Sequence, residues 1–98
     1  MTIEQVTEEF RKAAPGMPTL GKSLKFQFDE GIVFLDLTGE EAVITNEDAE
    51  ADTTIITSLA TLDGLRKGTV NPMMAVMSGK VKIKGDMALA MKLQSLLS

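Results

Sequence analysis

The 98-residue chain contains neither cysteine nor histidine. Without cysteine there is no disulfide framework, no thiolate nucleophile and no thiolate zinc site, and without histidine the commonest metal ligand and general base are missing. Tryptophan and tyrosine are absent too, which leaves four phenylalanines as the whole aromatic content. That scarcity, with a formal net charge of -4, argues against a nucleic-acid binder, which needs a basic footprint along the phosphates and often rings for base stacking. No apolar run approaches the ~18 to 20 residues of a membrane span. The start MTIEQVTEEF is acidic and helical in pattern, unlike a signal peptide, so the expected location is cytoplasmic. Carboxylates such as Asp36, Asp52 and Asp86 remain as acid or base candidates, but no spacing pairs them, and Asp86 reads better as a helix cap. No catalytic residue, metal ligand or cofactor is assigned.

What is present is an ordinary globular composition, 44% hydrophobic and 24% charged, which excludes disorder and low-complexity classes. A chain of this length buries roughly two thirds of its unfolded surface in one core, so residues 1–98 are expected to form one domain. Ile3, Val6, Phe10 and Ala13 lie at helical spacing, opened by a Thr2–Gln5 capping box and closed by Pro15-Gly16, which predicts a helix over about 2 to 13. Leu24, Phe26 and Phe28 alternate with polar residues, and after Glu30-Gly31 the run IVFLDLT completes a hairpin. A third strand is expected near Ala42 to Thr45 and a fourth over Thr53 to Thr57, with the acidic stretch NEDAEAD between them as a solvated loop. Leu59, Leu62 and Leu65 mark a short helix ending at Gly68. Asn71-Pro72 starts another that ends at Gly79, VKI gives a fifth strand, and Gly85-Asp86 precedes a last helix. Strands grouped before helices indicate an α+β domain, an antiparallel-rich sheet with its helices on one face. The path through two helices from the fourth strand to the fifth permits a parallel or crossover pairing there.

Two features depart from an ordinary core. The segment Met73, Met74, Ala75, Val76, Met77 has no polar face and requires cover on nearly every side, by protein, by another subunit or by a ligand. In the last helix, at 100° per residue, Ala88, Lys92 and Ser95 form one narrow polar side, and Gln94 falls inside the apolar arc between Ala90 and Met87. A buried amide without partners costs about 1 to 3 kcal/mol. Packed core, a subunit interface and a ligand tunnel all accommodate the methionines, and Gln94 could bond a carbonyl, face water or meet a ligand head group. Lys80, Lys82 and Lys84 alternate with Val81 and Ile83 on one side of the fifth strand, as edge protection or as a patch for anionic lipid surfaces.

The stretch Gly68, Asn71-Pro72, Ala75, Ser78-Gly79-Lys80, Lys82-Ile83, Gly85-Asp86-Met87 and Leu89-Ala90-Met91-Lys92-Leu93-Gln94 closely resembles the C-terminal signature of the sterol carrier protein 2 (SCP-2) domain family. Ala51-Asp52-Thr53-Thr54-Ile55 looks like that family's fourth strand, so the likeness is strong from about Ala49 to Leu97 and rests on element order before that. The resemblance implies a five-stranded, mostly antiparallel sheet with helices on one face around a hydrophobic tunnel. It also implies a non-enzymatic binder and carrier of fatty acids, fatty acyl-CoA, sterols or other lipids. On this basis the ligand tail is expected among Phe26, Phe28, Val33, Leu35, Met73, Met77, Met87, Met91 and Leu93, with Gln94 orienting its head group. The expected partners are a lipid or fatty acyl ligand and, transiently, a membrane, with the protein a monomer or weak dimer. The competing reading is a structural or interaction module. Thr69, Val76 and Ala88 stand where the family often has lysine, an aromatic and glycine, and Val76 should soften the tunnel wall. The chain stops at Leu-Leu-Ser without a peroxisomal signal of the Ser-Lys-Leu type, which favours a stand-alone microbial member.

Overall fold

The computed structural model describes residues 2–17, 19 and 21–89. The first helix, α1 (Ile3–Ala13), opens as the sequence predicts. The Gln5 backbone N–H donates to Thr2 Oγ1 at 3.2 Å and the Thr2 N–H donates to Gln5 Oε1 at 2.9 Å, satisfying two amides that the helix start leaves free. Val6, Thr7 and Phe10 are its buried face. A 3-10 turn at Ala14–Gly16 follows, where Pro15 ends the regular helix.

Strands β1 (Lys22–Gln27), β2 (Ile32–Leu37) and β3 (Val43–Thr45) form the expected antiparallel meander. Strand β4 (Thr53–Thr57) then crosses the sheet and lies on the far side of β1, parallel to it, with Leu24 beside Thr53 and Phe26 beside Ile55. Helices α2 (Leu59–Lys67) and α3 (Pro72–Met77) lead to β5 (Val81–Lys84), which pairs antiparallel with β4. The sheet order is therefore β3-β2-β1-β4-β5, with three antiparallel pairings and one parallel. The sequence allowed a parallel pairing between the fourth and fifth strands, but the parallel contact is between the first and fourth. Helices α2 and α3 return the chain to the end where β4 finished, so that Val81 starts beside Thr57, and the crossing falls instead to the link of residues 46–52.

Strand alternation divides the sheet into two faces. Leu24, Phe26, Val33, Leu35, Leu37, Ile44, Ile55 and Val81 face inward and share a core with Val6 and Phe10 of α1, Leu59, Leu62 and Leu65 of α2, and Ala75 of α3. Ser23, Lys25, Phe34, Thr54, Ile56, Lys82 and Lys84 take the outer positions. The acidic link is a connector, tied down at both ends. Asn46 Nδ2 donates to Thr7 Oγ1 and to the Ile32 carbonyl, both at 2.9 Å, and Asp48 meets Lys25 Nζ at 3.0 Å. Where the link joins β4, Asp52 Oδ2 accepts from the Ser23 N–H at 2.8 Å, and the Asp52 N–H donates to Ser23 Oγ at 3.1 Å. Helices α1 and α2 are joined on their solvent side by Arg66 and Glu9, whose two N–H···O contacts measure 2.6 and 2.8 Å.

Gly85 sits where β5 leaves the sheet against this junction. Its φ is +113°, and a Cβ there would lie 2.5 Å from the Asp52 carbonyl oxygen. Both the backbone region and the backbone contact exclude a larger residue. Gly85→Ala is expected to lower stability by about 1–3 kcal/mol, read as a fall in the urea midpoint with unchanged m-value. An unchanged midpoint would mean that the junction relaxes freely.

Candidate functional site

The inner face of the sheet is apolar because β1 and β2 place their hydrophobic residues at alternate positions in matched register. Leu24 stands opposite Leu35, and Phe26 opposite Val33. Phe26 touches rings on both sides, Phe10 of α1 at a centroid distance of 5.0 Å and Phe28 at 5.8 Å. Phe26, Phe28, Val33 and Leu35, four of the residues expected to contact a ligand, are thus buried together on one wall. Phe28 is the outermost of them and also lines a groove of about 490 Å³ at the ends of β1 and β4, shared with Thr57, Ser58 and Lys80.

Helix α3 is placed by its caps. Asn71 Oδ1 accepts from the N–H groups of Met73 and Met74 at 2.9 and 3.3 Å, and Pro72 occupies the first turn, where no amide partner is needed. The Lys80 N–H donates to the Ala75 carbonyl at 2.9 Å, seating the helix on the start of β5. Ala75, 1% exposed, is its point of entry into the core, whereas Met73, Met74 and Met77 are 65%, 61% and 78% exposed. At 100° per residue those three share one arc opposite Ala75. The sequence required cover for this segment on nearly every side, and the described protein covers only the side of Ala75 and, in part, Val76. A small residue lets the helix approach the sheet closely, and the long thioethers then point away.

Beyond β5 the chain turns into a helical turn at residues 87–89, of which Leu89 is buried and Met87 is 53% exposed. The Asp86 cap expected from the sequence is present. Its Oδ1 accepts from the Ala88 and Leu89 N–H groups at 2.9 and 3.2 Å, and its own N–H donates to Thr53 Oγ1 at 3.0 Å. Lys22 Nζ lies 3.4 Å from Asp86 Oδ2. The Leu89 N–H first of all, and then the Lys22 ammonium, hold the Asp86 carboxyl below the usual carboxylate range. The cap thereby fixes the direction in which the chain leaves the sheet.

The expected ligand residues fall into three sets. Phe26, Phe28, Val33 and Leu35 line the buried wall, and Met73, Met77 and Met87 are exposed beside the β5 edge, while Met91, Leu93 and Gln94 lie outside the described residues. Val81 and Leu89, not named from the sequence, are buried with the wall, and Ile83 packs against it. For Val81 and Ile83 the alternation with lysines carried that signal. Among the described residues no cluster of acidic side chains is arranged to hold a metal ion, and no helix is long and apolar enough to cross a membrane.

Comparison with known proteins gives one consistent result. The profile described as the SCP-2 sterol transfer family matches residues 3–98. Sterol carrier protein 2 of Bos taurus is 47% identical over 58 residues, which are 59% of this chain and 11% of that protein, so the chain spans about a tenth of that relative's length. The solution structure of sterol carrier protein domain 2 of Helicoverpa armigera superposes with a TM-score of 0.64 at 27% identity, covering 81% of this chain and 68% of the other. The palmitated SCP2L2 of Aedes aegypti shares the fold, with a TM-score of 0.64, 20% identity, and coverage of 99% and 95% of the two chains.

The Asp86 cap has a defined pH signature. Because its folded pKa is depressed, it contributes stability that is present above the ordinary carboxylate pKa and is lost as pH falls through the lower folded value. Asp86→Asn keeps the capping oxygen but removes the charge. The difference in urea midpoint between wild type and this variant is expected to be constant above about pH 5 and to shrink at lower pH. A difference independent of pH would show that the charge at this cap contributes nothing.

Proposed function

The chain belongs to the SCP-2 sterol transfer family, a family of lipid binding and transfer, and on that premise we propose that it is a non-enzymatic carrier holding its ligand in a hydrophobic tunnel. The ligand class is a fatty acid, a fatty acyl-CoA or a sterol-like molecule. Its tail lies among Phe26, Phe28, Val33 and Leu35 on the sheet side and Met73, Met77, Met87, Met91 and Leu93 on the helix side, with Gln94 meeting the head group. The same reading takes residues 1–98 as one lipid-binding domain.

The observation that carries this reading is the exposure of Met73, Met74, Met77 and Met87, which with Val43 are the exposed large apolar side chains among the described residues. An exposed apolar helix face marks a place where something else binds. Methionine suits a ligand of variable shape, because its unbranched, polarizable side chain repacks at little cost. Binding is driven by apolar burial at about 25 cal/mol per Å², reduced by the costs of association and ordering. The palmitated mosquito protein of the same fold is consistent with an acyl chain as ligand.

Protein purified under native conditions and extracted with organic solvent is expected to release lipid detectable by mass spectrometry, and ligand-stripped protein to take up a fluorescent fatty acid. An empty extract together with no uptake would overturn the carrier reading. Met77→Glu places a charge against the tail and is expected to weaken uptake about tenfold, while leaving stability within about 0.5 kcal/mol because the side chain is exposed. Gln94→Leu is expected to keep the fold and change ligand preference or affinity. Unaltered binding in that variant would remove Gln94 from the site.

A further inference from the structure

Of the side chains that oxidants readily attack, this protein has one kind. The chain lacks cysteine, histidine, tryptophan and tyrosine but contains seven methionines. A peroxide therefore meets the thioether as its ready reductant in this protein. Met1 and Met91 lie outside the described residues, and the other five divide sharply. Met17 is 7% exposed and belongs to the core, whereas Met73, Met74, Met77 and Met87 are 53% to 78% exposed.

Three of those four stand on one arc of α3, and the helix is held by other groups. Asn71 Oδ1 caps its start, and Ala75 seats it in the core. At its end the Ser78, Gly79 and Lys80 N–H groups donate to the Met74, Val76 and Ala75 carbonyls at 2.9, 3.2 and 2.9 Å. None of these bonds uses a thioether, so α3 keeps its place when the sulfurs change. Residues 68–79 contain no charged side chain, which leaves the apolar character of this arc to the methionines. A sulfoxide keeps most of the shape of the side chain and adds a polar S–O bond that accepts hydrogen bonds. On a side chain facing water that oxygen is hydrated and the fold is little affected. Against an acyl chain or sterol it would lose its water and find no partner.

We propose that the α3 arc of Met73, Met74 and Met77 is a site of reversible oxidation by peroxide, and that its sulfoxide form refuses the apolar ligand while the fold stays intact. Each event is a two-electron oxidation. The thioether sulfur attacks one oxygen of hydrogen peroxide, the O–O bond breaks, an S–O bond forms, and the other oxygen leaves as water. Methionine sulfoxide reductases reverse it: two thiols are oxidised to a disulfide, the oxygen leaves as water, and the thioether is restored. Met17, enclosed in the core, is withheld from the reaction. The effect on binding rests on the carrier reading, whereas the oxidation site does not.

The test treats ligand-stripped protein with hydrogen peroxide and follows each methionine by peptide mass spectrometry. Conversion is expected to be on the order of tenfold or more faster at Met73, Met74 and Met77 than at Met17. Uptake of a fluorescent fatty acid by the oxidised protein is expected to fall on the order of tenfold and to return after treatment with reductases for both sulfoxide epimers. The urea midpoint is expected to stay where it was. Met73→Leu/Met74→Leu/Met77→Leu keeps apolar side chains of similar volume, and is expected to retain uptake and to lose most of the peroxide response. Equal conversion of Met17 and the α3 methionines, unchanged uptake after oxidation, or a response as large in the leucine variant as in wild type would overturn the proposal. So would a lowered urea midpoint, since loss of ligand would then follow from unfolding. Protein that takes up no fatty acid before treatment would overturn the carrier reading and the effect on binding with it, and the order of conversion would still decide the oxidation site. That order is read on the wild-type protein and needs no variant to fold.

Discussion

The parallel contact between β1 and β4 is the junction on which the rest of the architecture hangs. A meander of three strands would leave β1 at an edge, with its amides unpaired and Phe26 beside no further strand. Carrying the chain across to the other side of β1 makes it the centre of the sheet, and it allows β4 to support everything that follows. Asp52 and Ser23 hold the two strands together at the start of their pairing through reciprocal bonds. Thr53, the first residue of β4, then receives the Asp86 N–H, so the chain's exit from β5 is referred back to the same junction. Gly85 has to be glycine because the Asp52 carbonyl occupies the place of a side chain.

From that junction follows the contrast between the two ends of the inner face. Towards β2 and β3 the wall is closed by α1, whose Phe10 packs on Phe26, and by α2, held to α1 through Arg66 and Glu9. Towards β5 the covering helix α3 is six residues long and enters the core by Ala75, its one fully buried residue, with Val76 half-buried against it. An alanine buries little apolar surface compared with a phenylalanine or leucine. The local free energy holding α3 is correspondingly smaller, and elements of low local stability are the ones that open for ligands. The exposed methionines of α3 lie on that side, while the aromatic packing lies on the other.

Element positions were legible in the chain to an unusual degree because local chemistry decided them. The Thr2–Gln5 box, Asn71-Pro72, Gly68 at φ +78° and the Asp86 cap each act within three or four residues, and each is found where the sequence placed it. The division of Phe26, Phe28, Val33 and Leu35 onto the buried face follows from a period of two and matched register. The methionines were harder. Periodicity showed that the segment from Met73 to Met77 has no polar face, but not which side would be buried, because a uniformly apolar helix gives no direction.

The sequence by itself determined the described elements, their caps and the family, since these depend on neighbouring residues and on a signature carried within one segment, whereas the face of each strand that turns inward was left open. Only the tertiary structure decided that β4 pairs in parallel with β1, that α3 turns Ala75 inward and its methionines outward, and that β5 with its lysines is an edge strand. Those outcomes depend on contacts between segments far apart in the chain, Ser23 with Asp52, Thr53 with Asp86 and Lys22 with Asp86. Local propensity holds no record of such contacts, because their free energy exists only once the sheet has formed.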